Sequence, residues 1–256
     1  MPQTIARGWI AAGEALAAAR RPEGARAQAR RRFIAFAGLG IASFAIAMIA
    51  TLPASAVLDE RPWRSGVAGT IWNGEVGVAG GSKVEWHWAP LRSLTSLGFA
   101  VDWQATGPDT DLGGQALLRP GSFRLDRVSG SADATLLQAV APDLPFTCDL
   151  TMQVELPRLV AGGGSQQAQA TILSDAGSCS AQAAGSASPV PAMILTAEHI
   201  GRETRIRLAP QTQRRQTLVD AVLSEDGKYR VTLTSDGAAK LPFTGLPAGV
   251  TVESEL

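Results

Sequence analysis

Apolar positions follow two different patterns along this chain. From Phe33 to Leu52 they run without interruption, FIAFAGLGIASFAIAMIATL, twenty residues with no charge. Beyond Leu52 they alternate with polar ones. Val84, Trp86 and Trp88 alternate with Glu85 and His87; Leu97, Phe99, Val101 and Trp103 with Gly98, Ala100 and Asp102. The longest such run is Phe146, Cys148, Leu150, Met152, Val154 and Leu156, which reads as one strand; Ile206 with Leu208, and Tyr229, Val231 with Leu233, follow the same rule. Period two means strands with one apolar and one wet face, the signature of antiparallel sheets. Asn73-Gly74, Gly80-Gly81, Asp226-Gly227 and Asp236-Gly237 supply turn residues between the runs, and Gly162–Ser165 reads as a flexible loop. One helix is expected in this region, Ser131 to Ala141, closed by Pro142. The expected fold is mainly β: one N-terminal transmembrane helix, then a large curved antiparallel sheet or partial barrel. Its ten to a dozen strands would hold the apolar residues on the concave face.

As a helix the continuous run spans about 30 Å, the hydrocarbon thickness of a bilayer. Arg30, Arg31 and Arg32 abut its start, whereas the flank from Pro53 to Arg64 balances its charges. The positive-inside rule then places 1–32 in the cytoplasm, 33–52 in the membrane and 53–256 beyond it, in the periplasm. A cleaved leader ending at Ala54-Ser55-Ala56 is the competing reading. The length of the run and of the 32 residues before it favour a retained anchor in the inner membrane. Gly38 and Gly40 follow no strand and form no dinucleotide fingerprint. Ala11 to Arg21 is rich in good helix formers, and the arginines suit either a topology signal or anionic head groups.

Charge sharpens this division. The whole chain is formally neutral, 23 basic against 23 acidic residues. Residues 1–32 hold seven arginines against two glutamates, so the rest is net acidic. A mildly acidic body argues against nucleic acid as a partner, and 45% hydrophobic residues against disorder. In an oxidising compartment the two cysteines, Cys148 and Cys179, are expected to form a structural disulfide. A redox pair normally has the spacing C-x-x-C. His87, on the wet face of its strand, and His199, in a Glu198–Gly201 turn, lack ligand spacing, so no metal site is expected. No catalytic motif is present; Asp102, Asp149 and Glu155 fall on wet alternating positions, and neither enzyme activity nor a cofactor is expected.

The residues just after the anchor form a denser pattern. Leu52-Pro53-Ala54-Ser55 closes the apolar run. Gly66-Val67-Ala68-Gly69-Thr70-Ile71-Trp72-Asn73-Gly74 follows, then Val84-Glu85-Trp86-His87-Trp88-Ala89-Pro90-Leu91. Read physically, Gly69 and Gly74 bracket Thr70-Ile71-Trp72 as a short strand turned by Asn73-Gly74. Trp86 and Trp88 share a face that Pro90 ends. In order and spacing the pattern resembles the type II secretion system protein N family, with its V-x-G-T-x-W-x-G motif and W-x-x-x-P strand end. The family-motif residues are Gly69, Thr70, Trp72, Gly74, Trp86, Trp88 and Pro90. The resemblance implies a bitopic inner-membrane accessory component of type II secretion, with other inner-membrane components of that apparatus as partners. A second expectation is a lipid-binding or lipid-handling groove, suggested by the one-sided alternation.

Overall fold

The computed structural model describes residues 23–58, 64–78, 81–141, 144–182 and 186–255. The expected helix at 11–21, the flank at 59–61, Gly80, Pro142 and residues 183–185 of the link after them lie outside these. The chain divides into two units, Met1–Leu52 and Pro53–Leu256.

In the first unit, α1 (Glu23–Ala50) contains the apolar run. Its segment Arg30–Ala50 is long and apolar enough to cross a membrane, and its side chains from Arg30 onward are exposed on every side. A helix apolar all round has no wet face to offer water. It ends two residues before the expected Leu52. The Thr51 hydroxyl donates back to the Ala47 carbonyl at 2.8 Å, and Pro53 cannot continue the ladder.

The second unit begins with β1 (Arg64–Gly69), β2 (Asn73–Val78) and β3 (Ser82–Trp88). A short helix, α2 (Pro90–Ser96), leads to β4 (Phe99–Gly107), β5 (Thr110–Arg119) and β6 (Ser122–Asp133). After α3 (Thr135–Val140) come β7 (Phe146–Asp149), β8 (Thr151–Gly162), β9 (Gln167–Ser174), β10 (Gly177–Ala181) and β11 (Ala187–Val190). The chain closes with β12 (Met193–Ile200), β13 (Glu203–Pro210), β14 (Val219–Ser224), β15 (Lys228–Leu233), α4 (Ser235–Lys240) and β16 (Thr251–Glu255). Thirteen strands form one open antiparallel sheet in sequence order from β1 to β16; β7, β10 and β11 leave it to form a second sheet of three. Each neighbour is reached by a hairpin or a short excursion, so nearly all pairing is local.

Register sorts the side chains onto two faces. Direct partners Val76, Val84, Ala105, Leu112, Gly130, Val154, Ile172, Leu195, Leu208, Val219 and Leu233 make one row across eleven strands. The next row on the opposite face runs Glu75, Glu85, Gln104, Gly113, Ser129, Glu155, Thr171, Thr196, Arg207, Asp220 and Thr232. A slip of one residue would exchange the two. One bulge survives without doing so. Arg127 (φ 53°) and Pro157 stand between the pairs Val128–Leu156 and Asp126–Arg158. Relative to β5 and β9, each of these two strands carries one extra residue here, which returns Leu125 and Leu159 to the apolar face, and a proline is tolerated there because a bulge needs no ladder donor.

The strand ends differ. At one end α3, the three-stranded sheet and α4 pack over Met152, Met193, Leu208 and Val219, burying Leu150, Cys179, Val190, Leu218 and Phe243. Phe146 meets Phe243 edge-on with ring centroids 5.0 Å apart. Among the described residues the other end carries the turns, α2 and the segment from Pro53 with its 3-10 turn Ala54–Ala56.

Four local expectations are corrected. Phe146–Leu156 is two strands: the chain changes sheets at buried Leu150, whose carbonyl accepts from Ala134 N at 3.0 Å. Alternation fixes which way a side chain points and is blind to which sheet a strand joins. The helix expected from Ser131 starts at Thr135, because Ser131–Asp133 extend β6 and Ala132 pairs with Met152. Leu97 is not strand but the left-handed cap of α2. Asp236-Gly237 opens α4 instead of a turn, with the Thr234 side chain accepting from Gly237 N at 3.0 Å.

Cys148 and Cys179 face each other on β7 and β10 and are disulfide-bonded, 31 positions apart. The bridge sits at the packed end. The Gly162–Ser165 loop caps the far end of the β8–β9 hairpin. Replacing the pair (Cys148→Ser with Cys179→Ala) should lower the unfolding free energy by about 3–4 kcal/mol. Urea unfolding of the full chain in detergent, followed by tryptophan fluorescence, measures it. Unchanged stability would mean that packing alone holds the small sheet.

Candidate functional site

All seven motif residues meet in one corner, at the turn-bearing end of β1–β4. Thr70, Ile71 and Trp72 are the β1–β2 turn, not a strand, and Asn73-Gly74 already belongs to β2. Gly69 makes this possible. Its φ is 83°, and a Cβ there would lie 2.5 Å from the Asn73 carbonyl oxygen. Thr70 locks the turn: its N–H donates to the Asn73 carbonyl at 2.8 Å, and its hydroxyl accepts from Asn73 N at 3.2 Å.

Trp72 is thereby thrust onto Trp88, 4.8 Å between ring centroids, and Phe99, 5.8 Å. Its carbonyl accepts from Trp88 N at 2.7 Å. The Trp86 indole N–H donates to the Ile71 carbonyl at 3.1 Å, so the ring lies across Gly74, where a Cβ would come within 2.4 Å of Cζ2. A bare glycine opposite a tryptophan gives the ring a floor on the neighbouring strand. Trp103 repeats the arrangement over Gly114. Pro90 is the first residue of α2, where its missing N–H costs nothing. The Trp88 indole N–H donates to Ser93 Oγ at 2.9 Å, which in turn accepts from Ala100 N at 2.9 Å, fastening α2 to β4.

From this corner the apolar face extends over the sheet. Alanines fill its floor, with Ala105, Ala116, Ala168, Ala170 and Ala197 all buried, while Trp86, Trp103, Leu112, Val154, Leu156, Ile172 and Leu195 stay half-buried. Around β12 the sheet bends toward this face. Cα atoms of β9 and β13 approach within 8 Å across β12, where a flat sheet would separate them by about 9.6 Å. Ala168 N donates to Thr204 Oγ1 of β13 at 3.2 Å, and Thr204 is fully buried. The opposite face is wet and laced with ion pairs, among them Arg92–Asp102, Arg158–Asp126, Arg207–Asp220 and Arg230–Glu253. Lys83 and Glu85 lie 2.5 Å apart there; their hydrogen bond first, and opposite charge second, lower the Glu85 pKa and raise that of Lys83.

The remaining candidates are dispersed. The cysteines are at the packed end, far along the strands from the motif corner. His87 is exposed on the wet face of β3. His199 belongs to strand β12 rather than a turn and lies 3.2 Å from Thr204 Oγ1 through Nδ1. Among the described residues no three His, Cys, Asp or Glu side chains gather as a metal set. Sequence reasoning missed α2 altogether. Its signals were Pro90 in the first helical position and Leu91, Leu94 and Leu97 at three-residue spacing. No protein-family model, curated protein or solved structure matches the chain.

The glycine–tryptophan contact makes a sharp prediction. Gly74→Val drives a side chain into Trp86 and the Ala68 carbonyl and should cost about 2–3 kcal/mol. Gly113→Ala, whose Cβ meets nothing closer than 3.4 Å, should cost under about 1 kcal/mol. Thermal melts of the two variants compare them directly; equal costs would refute the ring-on-glycine account.

Proposed function

We propose that this protein is a bitopic inner-membrane accessory component of a type II secretion system. Residues 1–32 lie in the cytoplasm, the apolar run from Phe33 spans the membrane, and the β-rich body lies in the periplasm, acting through contacts with other inner-membrane components of the apparatus. What carries the reading is the motif: seven residues with family spacing come together as one interlocked corner, directly after the chain leaves its apolar helix. A pattern that survives as a single packed unit is harder to obtain by chance than scattered identities. The arginine-rich lead before the helix supports the orientation, and an oxidising periplasm suits the Cys148–Cys179 bridge.

The apolar row across eleven strands favours a second reading, a lipid-handling groove. A monomeric soluble protein rarely leaves so continuous an apolar face half-buried.

Two measurements separate these readings. Under the first, the tagged full-length chain co-purifies with the secretion inner-membrane complex, and deleting its gene cuts release of folded exoproteins. Intact secretion after deletion contradicts it. Under the second, native mass spectrometry of the full chain released from detergent retains phospholipid. A ligand-free chain contradicts that.

A further inference from the structure

The turn-bearing end of the sheet is divided by polarity. Beside the motif corner, Leu91, Leu94 and Leu97 of α2 are 79%, 73% and 87% exposed, with Leu118 and Phe123 next to them on β5 and β6. Farther along the same end, the β12–β13 and β14–β15 turns carry the ion pairs Arg202–Glu225 and Lys228–Asp226. Three consecutive leucines at helical spacing with no side-chain cover are costly in water. Leu97 adds a second cost: it takes φ 49° at a helix end where glycine is the usual residue. The fold tolerates both with no gain in packing, since no α2 residue is buried.

Chain length says what meets this surface. Pro53 directly follows Leu52, two residues past the end of α1, and forms a bridge with Thr70 of the motif turn. One peptide link spans 3.8 Å. The chain therefore enters the corner that also holds Trp72, Trp88 and the start of α2 within three residues of the end of α1. Tryptophans are the side chains that settle at head-group level, and exposed Arg119, whose Nε donates to the Ser96 carbonyl at 2.9 Å, places a cation at the edge of the same surface.

We infer that Leu91, Leu94 and Leu97 form a membrane-docking rim that inserts into the leaflet next to the end of the anchor. The rim is then a second lipid contact beside the anchor. This holds whether or not the protein serves secretion.

The test uses the full chain, native disulfide intact, in phosphatidylethanolamine–phosphatidylglycerol vesicles. An NBD fluorophore is attached at Leu94→Cys and, for reference, at Glu225→Cys. The rim predicts blue-shifted emission at position 94, quenched by lipids spin-labelled about 5–10 Å below the head groups, and water-like, unquenched emission at 225. Adding Leu91→Asp and Leu97→Asp should abolish the quenching at 94 while leaving the thermal midpoint unchanged, because both sites are exposed. Water-like emission at 94 overturns the inference. So does a blue shift without lipid quenching, which would mean that protein, whether a partner or a second copy, covers the leucines. Quenching that survives the two aspartates overturns it as well.

Discussion

Antiparallel pairing has no tolerance for a slip of one residue, because such a slip turns every side chain to the wrong face. In this protein a single register must hold from Val76 on β2 to Leu233 on β15, and everything else depends on it. It gathers valines, leucines and isoleucines on one side and charges on the other. Even the irregularity at Arg127 and Pro157 is doubled on adjacent strands, so that the faces re-form beyond it. The strands are long enough, and the hairpins local enough, for the pattern to propagate from strand to strand without distant contacts.

The alternation of sizes on the apolar face has its own consequence. Alanines at Ala168, Ala170 and Ala197 remove bulk where the sheet bends, and Ala168 can then reach Thr204 across an intervening strand. Tryptophans stand where glycines face them. Covering elements are concentrated at one end, where β7, β10 and β11 leave the main sheet and the disulfide secures them. Among the described residues the other end is built of turns, a 3-10 turn at Ala54–Ala56 and one short leucine-bearing helix, and it is there that the chain arrives from its apolar segment.

Much of this was legible in the residues. Period-two alternation specified strands, their antiparallel pairing and a one-sided apolar surface, because those follow from side-chain direction alone. The apolar run announced α1. What alternation does not encode is partnership. The run from Phe146 to Leu156 is unbroken in period, yet Leu150 marks a change of sheet. Nor do turn residues declare their own role. Asn73-Gly74 has hairpin chemistry, but Gly69 with its positive φ takes the bend, four residues before Asn73, and Thr70 closes it with its side chain. Asp236-Gly237 reads as a turn until Thr234 caps it into a helix. At the motif corner the residue types were visible and their purpose was not: only the contact between Trp86 and Gly74 explains why a tryptophan and a glycine must stand at that separation.

The central claim is that the sheet is open, so that its apolar face is a surface and not the inside of a barrel. Dipolar coupling between nitroxides at Ala68→Cys on β1 and Thr251→Cys on β16, in the full chain with its native disulfide bridged, tests this most directly. The account predicts an inter-label separation far beyond the about 5 Å between paired strands, with no broadening from near contact. Strong broadening, as from labels on adjacent strands, would mean that β1 and β16 close the sheet, and would contradict it.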